Sequence, residues 1–177
     1  MDSSLDTRNV IDKFKGLANA EIKFRLSETA FPYACMMTQI IGDFNIGTMI
    51  RNANAFNASK VFYFGKKKYD PRGTAGTYHY LNIQHLKYLS DLFYLKEKYI
   101  FVGMENGPGL NPISMKDFDW PKNALIIFGE EGQGIPEDIL NMCDYIVDIP
   151  MFGSVRSLNV GTTSGIAFHD YTMKYKS

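Results

Sequence analysis

The segment Phe128-Gly-Glu-Glu-Gly-Gln-Gly-Ile-Pro136, followed about a dozen residues later by Ile149-Pro-Met-Phe-Gly-Ser-Val-Arg-Ser-Leu-Asn-Val-Gly161, decides how the chain is read. Each part is a glycine-punctuated turn at the end of a short apolar run. Backbone amides and carbonyls line small-molecule pockets in that layout, at the carboxyl ends of parallel strands. Working outward, apolar runs rich in β-branched and aromatic residues recur at Tyr33–Gln39, Lys60–Gly65, Tyr99–Glu105, Ala124–Gly129 and Tyr145–Pro150. The stretches between them predict helices over Asn9–Glu21, Ile46–Asn57, Leu86–Lys98, Pro136–Cys143 and Asn159–Lys174, with Pro136 suited to a first helical turn. Strand and helix alternating in this way specify an α/β fold, a mostly parallel sheet flanked by helices.

With 177 residues, one domain spanning 1–177 is expected. The polar start MDSSLDTRNVIDKFKG is not an export signal, and no run approaches the roughly 20 apolar residues of a bilayer span, so a cytoplasmic protein with no membrane partner is expected. Cys35 and Cys143 have no CxxC or Cys/His spacing around them, and His79, His85 and His169 show no mutual spacing of ligands, so no metal is implied. A net charge of zero hides an asymmetry: residues 1–90 hold 12 Lys/Arg against 7 Asp/Glu, and residues 91–177 hold 7 against 12. A polyanionic partner would therefore meet the first half. The long connection KKKYDPRGTAGTYHYLNIQ, residues 66–84, supplies Lys66, Lys67, Lys68 and Arg72 for phosphates and three tyrosines on which bases could stack.

Two familiar phosphate motifs fail. The glycines of GEEGQG are spaced G-x-x-G-x-G, and Glu130 and Glu131 would repel a pyrophosphate. Gly42 and Gly47 have the separation of a P-loop, but Thr48-Met49 stands where Lys and Ser/Thr are needed. Asn45 is placed to cap the second helix, and Ser157 or Asn159 the last one. Arg51, in an otherwise small and apolar helix, calls for an anionic partner. Gly161 and Gly165 lower helix propensity by about 1 kcal/mol each relative to Ala, which points to close approach of a neighbouring loop or a second subunit.

Three motifs in order carry a family resemblance. Asn45-x-Gly47-x-x-x-Arg51, Gly129-x-Glu131-x-x-Gly134 and Ile149-Pro-Met151-x-Gly153-x-x-x-Ser157-Leu158-Asn159-Val160 resemble those of the TrmH-like (SpoU) branch of the SPOUT RNA methyltransferases, over about Tyr33 to Lys174. The resemblance implies a C-terminal deep trefoil knot, with residues 124–174 forming the knot and cofactor region and residues 1–30 an N-terminal helical extension. It implies S-adenosylmethionine as cofactor, held by Met104, Gly129, Ile149, Met151, Ser157 and Leu158. The implied reaction is methylation of a ribose 2′-hydroxyl of RNA, with tRNA favoured over rRNA, by a homodimer. Arg51, Asn45, Glu131, Ser157 and Asn159 match the catalytic set, and Arg51 with Lys66, Lys67, Lys68 and Arg72 would hold the RNA. In this reading Arg51 grips phosphate and stabilises charge, Asn45 and Ser157 position Arg51 and substrate, Glu131 acts on the hydroxyl or holds Arg51 or the knot loop, and Asn159 ties the knot to the last helix. The competing readings are rRNA ribose methylation, methylation of a base nitrogen, and a non-catalytic RNA-binding protein of the same fold.

Overall fold

The computed structural model describes residues 10–38, 43–65 and 68–176. Seven strands form a single, wholly parallel sheet: β1 (Phe31–Thr38), β2 (Ala58–Phe64), β3 (Ile83–Leu86), β4 (Ile100–Met104), β5 (Ile113–Ser114), β6 (Ala124–Phe128) and β7 (Tyr145–Asp148), in the order β3-β2-β1-β6-β4-β7-β5. Among the described residues, five α-helices pack with the sheet: α1 (Asn19–Glu28), α2 (Asp43–Ala55), α3 (Leu89–Lys96), α4 (Glu137–Leu140) and α5 (Val160–Lys176).

The central strands are buried on both faces, which is why β6 reads as the unbroken apolar run ALIIF. Side chains alternate with the strand period of two. Tyr33, Cys35, Met37, Ile126 and Phe128 pack with Ile46, Met49 and Ile50 of α2 and Ala167 and Phe168 of α5. Ala34, Met36, Leu125 and Ile127 pack on the other face with Leu92 of α3 and Ile139 of α4. The sheet thus separates an α2/α5 layer from an α3/α4 layer, and the Oγ1 hydroxyl of Thr38 donates to the Phe128 carbonyl at 3.1 Å where β1 and β6 end.

Five of the seven strands fall on the predicted runs to within two residues, but the short edge strands β3 and β5 carry no comparable apolar run. The first helix needs correction. In place of Asn9–Glu21 there is a 3-10 turn at Asp12–Phe14, then α1 from Asn19, because Gly16 adopts φ +76° and breaks the helical path. Ile22 and Leu26 of α1 pack against Phe14 and Tyr80. Asn9, Gln39, Lys66 and Lys67 lie outside the described residues.

The 66–84 connection also departs from expectation. Its described part is folded into two 3-10 turns, Pro71–Thr74 and Thr77–Tyr80, with Thr74, Thr77, Tyr80 and Leu81 buried. Tyr69 and Tyr78 pack against the main core, and Tyr69 stands edge-on to Tyr63 at 5.2 Å. Of the three tyrosines expected to stack bases, Tyr80 is therefore buried, and Tyr69 and Tyr78 are half-buried against the core. Burial of an aromatic ring removes far more apolar area from water than an open loop can, so the segment collapses onto α2. Gly47 makes this possible: a Cβ there would lie 2.6 Å from the Gly73 backbone.

Candidate active site

Three loops leave the carboxyl ends of β4, β6 and β7 and enclose a cavity of about 810 Å3. This is where an open parallel sheet binds ligands. All six residues expected to hold a cofactor line it: Met104 at the end of β4, Gly129 after β6, and Ile149, Met151, Ser157 and Leu158 after β7.

The loop after β6 folds back on itself. Glu130 and Gly134 exchange backbone hydrogen bonds of 3.1 and 2.8 Å, and the Glu130 carboxylate accepts from the Gln133 N–H at 3.0 Å. The return is so tight that a Cβ on Gly129 would overlap the Gly134 carbonyl carbon, and Gly134 itself sits at φ +69°. Two further residues fix the loops, and sequence reasoning missed both. Glu105 accepts from the Ile135 N–H at 3.1 Å and from the Asn106 N–H at 2.9 Å, so the β4 loop grips the β6 loop. Asn106 donates its side-chain N–H to the Arg156 carbonyl at 2.8 Å, so the β4 loop also holds the β7 loop. The available signal was a carboxylate and an amide directly after an apolar strand, ahead of the Gly107-Pro108-Gly109 turn.

At the edge of the cavity the three motifs meet. Asn45 Nδ2 donates to Glu131 Oε2 at 3.1 Å, Asn159 Nδ2 donates to Asn45 Oδ1 at 2.9 Å, and Asn159 Nδ2 also lies 3.4 Å from Glu131 Oε1. Residues 86 and 114 positions apart are thereby joined, and Glu131 lines the cavity. Asn159 is the expected cap of α5, with its Oδ1 accepting from the Thr162 N–H at 3.2 Å. Asn45 is not a cap. It lies inside the first turn of α2, and its amide is spent on Glu131 and Asn159.

Arg51 is exposed near the middle of α2 and forms no hydrogen bond or ion pair with any described residue. It does not line the cavity. Among the described residues neither Asn45 nor Glu131 hydrogen-bonds to it; of the two partners expected for Glu131, Arg51 or the knot loop, Glu131 meets the amide of Asn159 in the third motif, together with that of Asn45. Ser157 is exposed in the cavity wall. Arg72 is exposed and paired with Asp70, and Lys68 is exposed.

α2 and α5 pack closely through glycine. A Cβ on Gly161 would lie 2.9 Å from Thr48 Cγ2, and one on Gly165 would lie 3.2 Å from Asn52 Nδ2. Asn52 donates to the Gly161 carbonyl and to Ser164 Oγ, both at 2.9 Å. The glycines of the last helix therefore admit side chains of α2 from the same chain.

The cavity suits a particular ligand chemistry. Its lining carries the carboxylates of Glu105, Glu130, Glu131 and Asp148 against the single guanidinium of Arg156, beside the apolar Met104, Ile149 and Leu158. That field favours a ligand with cationic and flat apolar parts and opposes a polyphosphate. Among the described residues there is no group of three or more His, Cys, Asp or Glu able to hold a metal ion. No helix among them is long and apolar enough to cross a membrane.

Known proteins agree with this architecture. A tRNA (guanosine(18)-2'-O)-methyltransferase of Saccharomyces cerevisiae is 34% identical over 80 residues, 45% of this chain and 6% of that protein. A Borreliella burgdorferi protein bearing the name "Uncharacterized tRNA/rRNA methyltransferase" is 26% identical over 167 residues, 90% of this chain and 71% of that one. Among solved structures, the SpoU methyltransferase AviRb from Streptomyces viridochromogenes, in complex with the cofactor AdoMet, superposes with a TM-score of 0.73 at 24% identity. That match covers 81% of this chain and 58% of AviRb. The profile of the SpoU rRNA Methylase family matches residues 33–169, the span holding every strand but the first two residues of β1, the whole cavity and all three motifs, and the chain belongs to that family.

Proposed function

We propose that this protein is an S-adenosylmethionine-dependent RNA methyltransferase that modifies a ribose 2′-hydroxyl. The observation that carries the reading is the Asn45–Glu131–Asn159 junction, which ties the wall of the cavity to the helix presenting Arg51. A cofactor cavity and an unpaired guanidinium are thereby built as one unit. S-adenosylmethionine bound in the cavity would supply an activated methyl group to the 2′-oxygen as that hydroxyl gives up its proton. The main-chain groups of the two glycine loops with Met104, Ile149, Met151 and Leu158 would hold its adenine, and the cavity carboxylates would suit its positive charge.

Arg51 remains protonated, so it serves as a clamp on the neighbouring phosphate and a stabiliser of charge developing on the oxygen. The proton then passes to a phosphate oxygen or water. Alignment of the oxygen with the methyl carbon is the enzyme's main contribution, and Glu131, Asn45 and Asn159 are positioning residues for it. Ser157, exposed in the cavity wall, orients substrate beside the cofactor. Lys66, Lys67, Lys68 and Arg72 contact the RNA backbone; Arg72 does so from its ion pair with Asp70.

The finer assignments belong to the same proposal. The chain is one SPOUT domain, residues 124–174 form the trefoil knot and cofactor region, and the protein acts as a homodimer in the cytoplasm. The substrate is tRNA in preference to rRNA, as the name of the Saccharomyces cerevisiae relative, a tRNA (guanosine(18)-2'-O)-methyltransferase, suggests. The test is incubation with total RNA and methyl-labelled S-adenosylmethionine, digestion to nucleosides and mass spectrometry. Label on a ribose is expected. Label on a base would overturn the site chemistry, and absence of cofactor binding would favour a non-catalytic RNA-binding role.

A further inference from the structure

On the α3/α4 face, away from the cavity, a groove of about 320 Å3 lies between α3 and the β2–β3 edge. Lys60 and Lys98 both line it, and neither makes an ion pair with a described residue. The Lys60 ammonium stands 5.0 Å from the Phe62 ring centroid, and burial first, then the Lys98 charge, hold it below its ordinary protonation range. Two like charges have been brought together with nothing opposite them but Asp91. That carboxylate is committed to the start of α3, accepting from the Lys87 and Tyr88 N–H groups at 2.9 and 3.1 Å.

Two lysines against one carboxylate leave the groove with a net positive charge, which an arriving anion would offset. The rim adds aromatic surface: Tyr94 lines the groove and is 70% exposed, and Tyr88 and Phe93 beside it are 68% and 64% exposed.

We infer that this groove is a second nucleotide-binding site, in which Lys60 and Lys98 hold a backbone phosphate of RNA and Tyr94 stacks on the adjoining base. The inference rests on the RNA-methyltransferase reading above. The groove lies on the opposite sheet face from α2 and Arg51, so it grips the substrate at a point remote from the modified ribose. Such a contact adds affinity and register without touching the chemistry.

The experiment measures binding of bulk tRNA by the full chain over a range of salt, for the wild type, Lys98→Gln, Lys60→Gln/Lys98→Gln and Tyr94→Ala. S-adenosylmethionine binding by calorimetry serves as the control for the fold. The double variant is expected to bind RNA about tenfold more weakly, with a salt slope shallower by roughly one to two, and to bind cofactor as the wild type does. Tyr94→Ala should lose at least about fivefold with the slope unchanged, because stacking releases no counterion. The groove proposal falls if the double variant keeps both the affinity and the slope of a wild type that methylates RNA. A wild type with no RNA affinity would overturn the underlying reading as well. If adenosine monophosphate binds the wild type but not the double variant while RNA binding is unaffected, the groove belongs to a free nucleotide and the RNA assignment fails.

Discussion

The cavity and the outer face of α2 differ in how completely their polar groups are used. Around the cavity Glu105, Asn106, Glu130, Glu131 and Asn159 are all engaged, and their hydrogen bonds lock three loops to each other. Arg51 on α2 makes no hydrogen bond or ion pair with a described residue. A pocket for a small cofactor profits from being finished beforehand, since rigidity lowers the entropy lost on binding. A surface for a large polyanion profits from cations left unneutralised, since each one can release a counterion.

The sharpest way to break this contrast is to change Arg51. Arg51→Lys keeps the charge and loses the planar fork. It is expected to lower kcat by about 100-fold or more while S-adenosylmethionine affinity, read by calorimetry, stays within about twofold. Near full activity in that variant would mean that charge alone suffices and the bidentate clamp is wrong.

Gly129→Ala attacks the finished side. The added methyl overlaps the Gly134 backbone, which cannot swing away as a side-chain end could. A loss of roughly 1–3 kcal/mol in unfolding free energy is expected, with cofactor affinity down at least about tenfold. If denaturant melts and calorimetry both match the wild type, the loop is softer than its hydrogen bonds indicate.

Asn159→Ala tests whether the two sides communicate. Loss of the α5 cap should cost about 1 kcal/mol in a denaturant melt. Because the same amide holds Asn45 and Glu131, kcat should also fall while RNA affinity is retained. An unchanged kcat after correction for the folded fraction would leave Asn159 as a cap and nothing more.

The smallest effect concerns the core that both sides share. Burial raises the Cys143 thiol to about 12 from the ordinary 9.0, and it also raises Cys35, Tyr33 and Tyr171. A folded-state pKa above the unfolded one gives stability that is complete below the unfolded value and declines as pH climbs past it. The melting temperature should therefore be insensitive to these groups up to about pH 8.5 and fall above about pH 9, where unfolded thiols and then phenols ionise. A melting temperature that holds steady through pH 10.5 would contradict that sign.

The sequence was most legible where a residue's neighbours were close in the chain. β6 announced itself as an apolar run, and the glycine motifs marked the loops that carry Gly129, Ile149 and Leu158 into the cavity. β5 is two residues, Ile113–Ser114, and β3 is IQHL, so neither holds a period long enough to detect. The partners of Glu131 lie in two other motifs, and spacing along the chain cannot say that a carboxylate will meet amides instead of Arg51. The tyrosines at 69, 78 and 80 were ambiguous for a related reason: an aromatic in a Gly-rich segment reads alike whether it covers a core or awaits a base.

The contact between α2 and α5 carries an implication for heredity. Thr48 and Asn52 occupy room that exists only because Gly161 and Gly165 lack a Cβ, and the Asn52 amide reads the Gly161 carbonyl through that opening. These four positions, more than a hundred residues apart in pairs, should behave in a randomised library as one inherited unit. A larger residue at 161 would survive only alongside a smaller one at 48, and single changes at either would be purged where the matched pair is kept.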